Sequence, residues 1–277
     1  MLMKRSLLAI LALFALTLAG CGTLDMGGST SAPSSSAATE QILASGELRV
    51  GMSGNQPPFN MKNRAGELIG MDVDLARALA RMMGVEATLV TMPFNELLPA
   101  LQKGEIDIVL SGVTMTTERN LKVAFAGPYF VSGKAALTKE PSLAAADEPA
   151  DVNKPIRMSV LAGSTSEKFV KERLPEVTLV AVADYSEAVQ RVLDDDVDAM
   201  IADYPVTLLE LYRHPGVGLV STISTFSFEP IGVALSPDSH LLQNAVQNYF
   251  TLLEGTGTLE RLRLMWFDNA EWIAELP

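Results

Sequence analysis

The sequence predicts an α/β protein built of two similar lobes, and three observations carry that prediction. Short apolar runs alternate with amphipathic stretches along most of the chain, which is the pattern of βαβ units and mostly parallel sheets. The segment Phe94 to Gly112 lines up without gaps on Tyr185 to Asp203, setting Glu96 on Glu187, Leu98 on Val189, Ile106 on Val197 and Asp107 on Asp198. A cap, a helix, a turn and a strand so recur in the same order; a chance match between amphipathic helices is the alternative. Both copies end a strand, at Ser111-Gly112 and at Ala202-Asp203. Open α/β sheets bind ligands at the carboxyl ends of their strands, so two such ends facing each other imply a site between two lobes.

Composition narrows the function. The 277 residues are 48% apolar and 19% charged, which is ordinary for a globular protein and long enough for two medium domains. The formal charge of -12 argues against nucleic acid as a partner, because phosphate contacts need basic surface. The single cysteine, Cys21, has no intrachain partner. It follows a short basic start (Lys4, Arg5) and an apolar run from Leu7 to Leu18, which together read as a secretory signal over residues 1–20. That run is too short for a dependable membrane span. Leu18-Ala19-Gly20-Cys21 resembles a bacterial lipobox, and the resemblance implies cleavage before Cys21 and a lipid anchor on its sulfur. Acyl chains there hold a soluble body at a membrane. The Ser, Gly, Ala and Thr-rich stretch that follows reads as a flexible tether over residues 21–45.

The body is expected to begin near Gly46. Glu47 to Met52 alternates as a strand, and Gly70-Met71-Asp72-Val73-Asp74 opens a helix that runs to Met83 with Gly84 as its C-cap. Val85 to Met92 is a strand, and Asn95 is expected to cap a helix from Glu96 to Lys103. After the strand through Ile106 to Leu110 the chain opens into Ser111-Gly112-Val113-Thr114 and a helix start at Thr116-Thr117. Lys134 to Thr138 and Thr225 to Val233 are expected to cross between lobes, giving one lobe of residues 46–133 and 229–277 and another of 134–228. Pro141 to Lys154 reads as a polar loop. Beyond it come a strand (Ile156 to Val160), a helix from Glu167, a strand (Val177 to Val182), a helix (Ser186 to Leu193) and a strand (Val197 to Ala202). Helices at His240 to Glu254 and Thr258 to Trp266 end the chain, separated by Gly255-Thr256-Gly257.

The chemistry gathers at the strand ends. A strand ending in Ser-Gly-x-Thr exposes amides and hydroxyls, and Arg119 adds a planar fork of donors that suits a carboxylate. The alternative is a solvated Arg119 beside a plain Thr116 cap. Asp203 before Tyr204-Pro205 has the pattern of an N-cap as well as of a site residue. Phe94 fits a core position as well as a cleft wall, and Gly163-Ser164-Thr165-Ser166 fits an ordinary capped helix start. His214 and His240 are isolated, and no metal-ligand spacing or nucleotide loop is present, so no metal or cofactor is expected.

In this order and spacing, Pro58-Phe59, Gly70 to Ala76, Gly104-Glu105-Ile106-Asp107, Thr114 to Arg119, Pro128-Tyr129 and Gly163-Ser164-Thr165 resemble the family 3 bacterial extracellular solute-binding proteins. These are the polar amino-acid receptors of ABC importers. The resemblance covers Gly46 to Asp268 and implies a type II periplasmic-binding-protein-like fold: two lobes with mixed, mostly parallel sheets, joined by two crossover strands and closing on ligand. It implies that Arg119 clamps the ligand α-carboxylate and that donors at Gly112, Thr114, Ser164 and Thr165 assist it. Asp203 would accept from the α-ammonium, and Phe94 would pack on the ligand side chain. The implied partners are a small amino acid and the permease subunits of an importer, with a monomeric receptor held outside the cytoplasm by Cys21. Gln56 stands where many members carry a second aromatic, so Gln56 and Ser53 are expected to offer hydrogen bonds to a ligand with a small, polar or uncharged side chain, with acidic and basic ligands as the alternatives. The same fold hosts the periplasmic cyclohexadienyl dehydratase, and Gly163 to Phe169 resembles its second-lobe segment. On that alternative Glu167 would be the general acid, with a pKa raised by burial; as a first-turn glutamate it also simply suits the helix dipole.

Overall fold

A computed structural model describes residues 37–269 and 271–276. The expected signal segment, Cys21 and most of the expected tether lie outside the described residues. In the last part of the stretch expected as a tether, Ala37–Ser45 is a helix, α1, and Ile42 on it is only 1% exposed. Ala, Glu, Gln and Leu favour a helix, and α1 packs against β1 (Glu47–Met52).

From β1 the chain makes a small antiparallel sheet of β2 (Asn55–Gln56), β3 (Asn60–Lys62) and β4 (Leu68–Ile69). It then enters α2 (Met71–Met83), whose apolar face is buried and whose last turn is closed by left-handed Gly84. β5 (Glu86–Thr91) leads to α3 (Phe94–Gln102). The helix starts two residues earlier than expected, with Pro93 at the N-cap position and no side-chain cap. Asn95 instead lies against Gly163, whose missing side chain makes room: a Cβ there would stand 2.8 Å from the Asn95 Cβ. β6 (Ile108–Val109), the single-turn α4 (Thr117–Asn120), β7 (Ala124–Ser132) and β8 (Lys134–Thr138) follow.

The expected loop after β8 contains two short helices, α5 (Pro141–Ala144) and α6 (Pro149–Val152), each opened by the proline that suits a first helical position. The second strand–helix series is β9 (Arg157–Leu161), α7 (Thr165–Arg173), β10 (Thr178–Val182), α8 (Tyr185–Leu193), β11 (Ala199–Asp203) and α9 (Tyr204–Arg213). β12 (Val220–Ser221) and β13 (Glu229–Leu235) come next. The chain then runs through α10 (His240–Gly255) and α11 (Thr258–Arg263), and a π-turn over Leu264–Asp268 continues the last helix.

Two five-stranded sheets form, in the orders β5-β1-β6-β13-β7 and β10-β9-β11-β8-β12. The fold is therefore two-lobed α/β with mixed sheets. The parallel pairs in each sheet are those joined through helices, β1 with β5 and β6, and β9 with β10 and β11. The antiparallel pairs belong to β7, β8, β12 and β13. β7 and β8 are consecutive in sequence yet lie in different sheets, with only Gly133 between them, and the chain returns to the first sheet between Ser221 and Glu229. One apolar cluster runs through both lobes, with Phe94, Leu97 and Val109 from the first and Leu161, Tyr185 and Ala202 from the second.

If α1 belongs to the body, Ile42→Ala should cost about 2–4 kcal/mol, the usual range for emptying a buried aliphatic position. Urea unfolding would read this as a lower midpoint with an unchanged slope. A midpoint equal to wild type would return residues 37–45 to the tether.

Candidate functional site

Each strand end picked out by the internal repeat carries a buried polar residue, Ser111 at one and Asp203 at the other. β6 runs into Ser111 and Gly112, and Gly112 adopts a left-handed backbone (φ 56) that favours glycine. A Cβ there would stand 2.5 Å from Nε2 of Gln56, so the glycine lets the buried Gln56 amide lie on the strand end. Oε1 of Gln56 has no hydrogen-bond partner among the described residues. A buried acceptor left unpaired is costly.

Arg119 spans the seam between the lobes. Its backbone N–H donates to Thr116 Oγ1 (3.2 Å), the cap that the sequence signalled. Its guanidinium donates to the carbonyls of Thr114 (2.9 Å) and, in the other lobe, Gly163 (3.2 Å). The guanidinium carbon stands 5.9 Å from the Phe94 ring centre, within cation–π range. Burial lowers the Arg119 pKa, and the negative charges of Asp203, Glu229 and Glu118 push against that. Thr114 and Thr165 face each other across the same seam, 3.2 Å between hydroxyl oxygens. Glu118 and Lys168 pair over the mouth, one from each lobe. Asp203, 3% exposed, ends β11 and stands at the N-cap of α9 without capping it. Its Oδ1 accepts from Lys134 Nζ at 2.7 Å instead.

Several expected contacts are otherwise engaged. The Gly112 N–H donates to Asp72 Oδ2 (3.0 Å), and the Ser53 hydroxyl donates to Asn60 Oδ1 (3.1 Å). Ser164 caps α7, accepting from the Glu167 N–H (3.2 Å) and donating to the Leu161 carbonyl (2.6 Å), as the ordinary capped-start reading has it. Glu167 accepts from the Gly163 N–H (2.7 Å) and from Lys171 Nζ (2.6 Å). Its partial burial works to raise its pKa, but Lys171 and Gly163 prevail and the net shift is downward. That is opposite to what a general acid needs.

Sequence reasoning missed four residues. Lys134 and Glu229 are the first residues of β8 and β13; a lysine in an apolar strand gives no signal of which carboxylate it meets. Tyr185 did have a signal, because the repeat sets it on Phe94. Its buried hydroxyl has a pKa raised by desolvation and by Asp203, with Arg119 opposing. It therefore lies within the field of the same charged groups. Asp72, fully buried on α2, accepts from Tyr129 Oη (2.6 Å), Asn60 Nδ2 (2.9 Å) and Gly112 N, and so ties α2 and β7 to the strand end.

Known proteins resemble this chain over most of its length. Residues 48–269 match the model of the bacterial extracellular solute-binding proteins, family 3, and the chain belongs to that family. ABC transporter arginine-binding protein 1 of Escherichia coli (strain K12) is 28% identical over 81% of this chain and 92% of its own length. Cyclohexadienyl dehydratase of Pseudomonas aeruginosa is 26% identical over 83% of this chain and 85% of its own length. The crystal structure of the ancestral amino acid-binding protein AncCDT-1, a precursor of cyclohexadienyl dehydratase, superposes with a TM-score of 0.76 at 35% identity, covering 82% of this chain and 98% of that one. Relatives thus include both transport receptors and an enzyme.

Burial raises the Asp72 carboxyl to about 6 against the hydrogen bonds from Tyr129, Asn60 and Gly112, which favour the charged form. A raised acid keeps its proton in the folded state after the unfolded chain has lost it. Its contribution is therefore complete below about pH 4 and lost as the pH rises through about 6. Asp72→Asn removes this dependence. The stability of wild type relative to the variant should improve by on the order of 2 kcal/mol between about pH 7 and pH 4. A difference that is flat with pH in paired urea titrations would show that Asp72 titrates normally.

Proposed function

We propose that this protein is the ligand-binding receptor of an ABC importer and that it holds a small amino acid between its lobes. The observation that carries the reading is the placement of Arg119, in the single-turn α4 after β6, and Asp203, at the end of β11: opposite charges from different lobes, close enough for the Asp203 charge to act on the guanidinium. A zwitterion leaving water needs both of its charges paired, because buried unpaired charge is strongly unfavourable. In this reading Arg119 exchanges its backbone carbonyl partners for the ligand carboxylate, with the Thr114 and Thr165 hydroxyls beside it. Asp203 takes the α-ammonium through the oxygen that Lys134 leaves free. Phe94 and Tyr185 wall the side chain, and Gln56 Oε1 offers it an acceptor. Only a ligand that bridges both lobes pairs with both charges, so binding favours the closed arrangement. The lobes divide in this reading at Gly133 and Phe228.

The amino-acid-binding names among the relatives support the reading, and the lowered pKa of Glu167 weighs against dehydration. Among the described residues no helix is long and apolar enough to cross a membrane. The proposed membrane attachment rests on the lipobox-like Leu18-Ala19-Gly20-Cys21: a lipid on Cys21, after removal of residues 1–20, would keep a monomeric receptor beside its permease.

A thermal-melt screen of refolded, ligand-stripped protein tests this. At about 100 times its Kd a ligand adds roughly 2.7 kcal/mol, a rise of several degrees. One group of L-amino acids should give that rise. Arg119→Ala or Asp203→Ala should abolish it, since loss of one partner of a buried charge pair costs about 3–5 kcal/mol. A rise with prephenate or arogenate alone would favour catalysis, and no rise with any L-amino acid would refute the receptor.

A further inference from the structure

The charged centre of the cleft contains a cation that the expected ligand contacts do not use. Lys134 is 1% exposed, yet it opens β8 at the point where the chain leaves the first sheet. Its Nζ lies 2.7 Å from Asp203 Oδ1 and 3.5 Å from Glu229 Oε2. Backbone register fixes the first contact, because Lys134 and Asp203 are direct partners in the β8–β11 ladder. Glu229 opens the strand that returns to the first sheet, and its other oxygen accepts from Ser227 Oγ (2.8 Å). Burying a lysine is unfavourable unless it is paired, and here two carboxylates share it.

The charges then balance. Arg119 and Lys134 stand against Asp203 and Glu229, whose field also reaches the Arg119 guanidinium. Other ionisable groups nearby are satisfied elsewhere. Glu118 pairs with Lys168 at the mouth, Glu167 with Lys171, and Asp72 lies behind Gly112 with its own three donors. The Tyr185 hydroxyl is held neutral by burial. A ligand with no net charge keeps this balance. A cationic side chain would add a charge where both carboxylates already face Lys134, and an anionic one would leave a negative charge in excess.

We propose that Lys134 is a specificity-determining residue: by occupying Asp203 and Glu229 it removes the negative charge that a cationic side chain would need, and it restricts the ligand to amino acids with uncharged side chains. This rests on the amino-acid reading above.

Calorimetric titration of full-length, ligand-stripped protein with glutamine, serine, arginine, lysine and glutamate tests it. Wild type should bind an uncharged member best. Lys134→Met should shift the affinity ratio of arginine or lysine to that ligand by roughly tenfold or more towards the cation, the scale of an uncompensated buried charge. Lys134→Arg should keep the wild-type order. A merely structural role would weaken every ligand alike. Should Lys134→Met fail to fold, Glu229→Gln is the second variant, and it should shift preference the other way, towards glutamate. Binding by wild type that is tightest for arginine or lysine, or ratios unchanged in the variants, would overturn this inference alone. No binding of any amino acid by wild type would overturn the receptor reading and this inference with it.

Discussion

Ionised groups buried at the seam between two sheets have to find opposite charge there, and much of this structure serves that requirement. Lys134, Asp203 and Glu229 come from the ends of three strands, two of them in the second sheet and one in the first. The chain passes between sheets at Gly133 and again just before Glu229, so the connections themselves deliver charge to the seam. On the proposed function, a ligand entering there would meet a balanced set of charges that it must not unbalance. Closure, selectivity and the placement of the two crossings are in this view consequences of one electrostatic constraint.

A second buried polar cluster supports the first lobe's strand end. Asp72 accepts from a tyrosine, an asparagine and a backbone amide, and Asn60 in turn accepts from the Gly54 N–H (2.7 Å). A carboxylate so placed locks α2, β3 and the Ser111-Gly112 turn together. Its donors explain why Gly112 has no amide to spare for a ligand. They also explain why Gln56 can lie on the turn, since the left-handed glycine leaves space that any side chain would fill. Rigid support behind a site and adaptable groups in front of it is a common division of labour in binding proteins.

Much of this was legible in the residues. The apolar period of α2 and its glycine cap and the Thr116 cap that puts Arg119 in a first turn correspond to observed elements, and so does the repeat in its helix and its second strand, whereas β6 ends at Val109, short of Gly112. Local chemistry also misled. Asn95 has the residue type of a cap but packs against Gly163, and Ser and Ala near the start hid a helix anchored by Ile42. Two proline-opened single turns lay inside what read as a loop, because four-residue helices have no period to detect.

By itself the sequence determined the fold class and pointed to Arg119 and Asp203 as the charges of the candidate site, because caps and periods act over a few residues and the repeat sets two such segments side by side. Only the tertiary structure decided which partner each buried charge takes. Lys134 reaches Asp203 through antiparallel register across a long stretch of chain, and Glu167 turns to Lys171 and Gly163 rather than to an apolar pocket. Pairing of buried charge depends on distance in space and on what water is excluded, and neither is written in the order of residues.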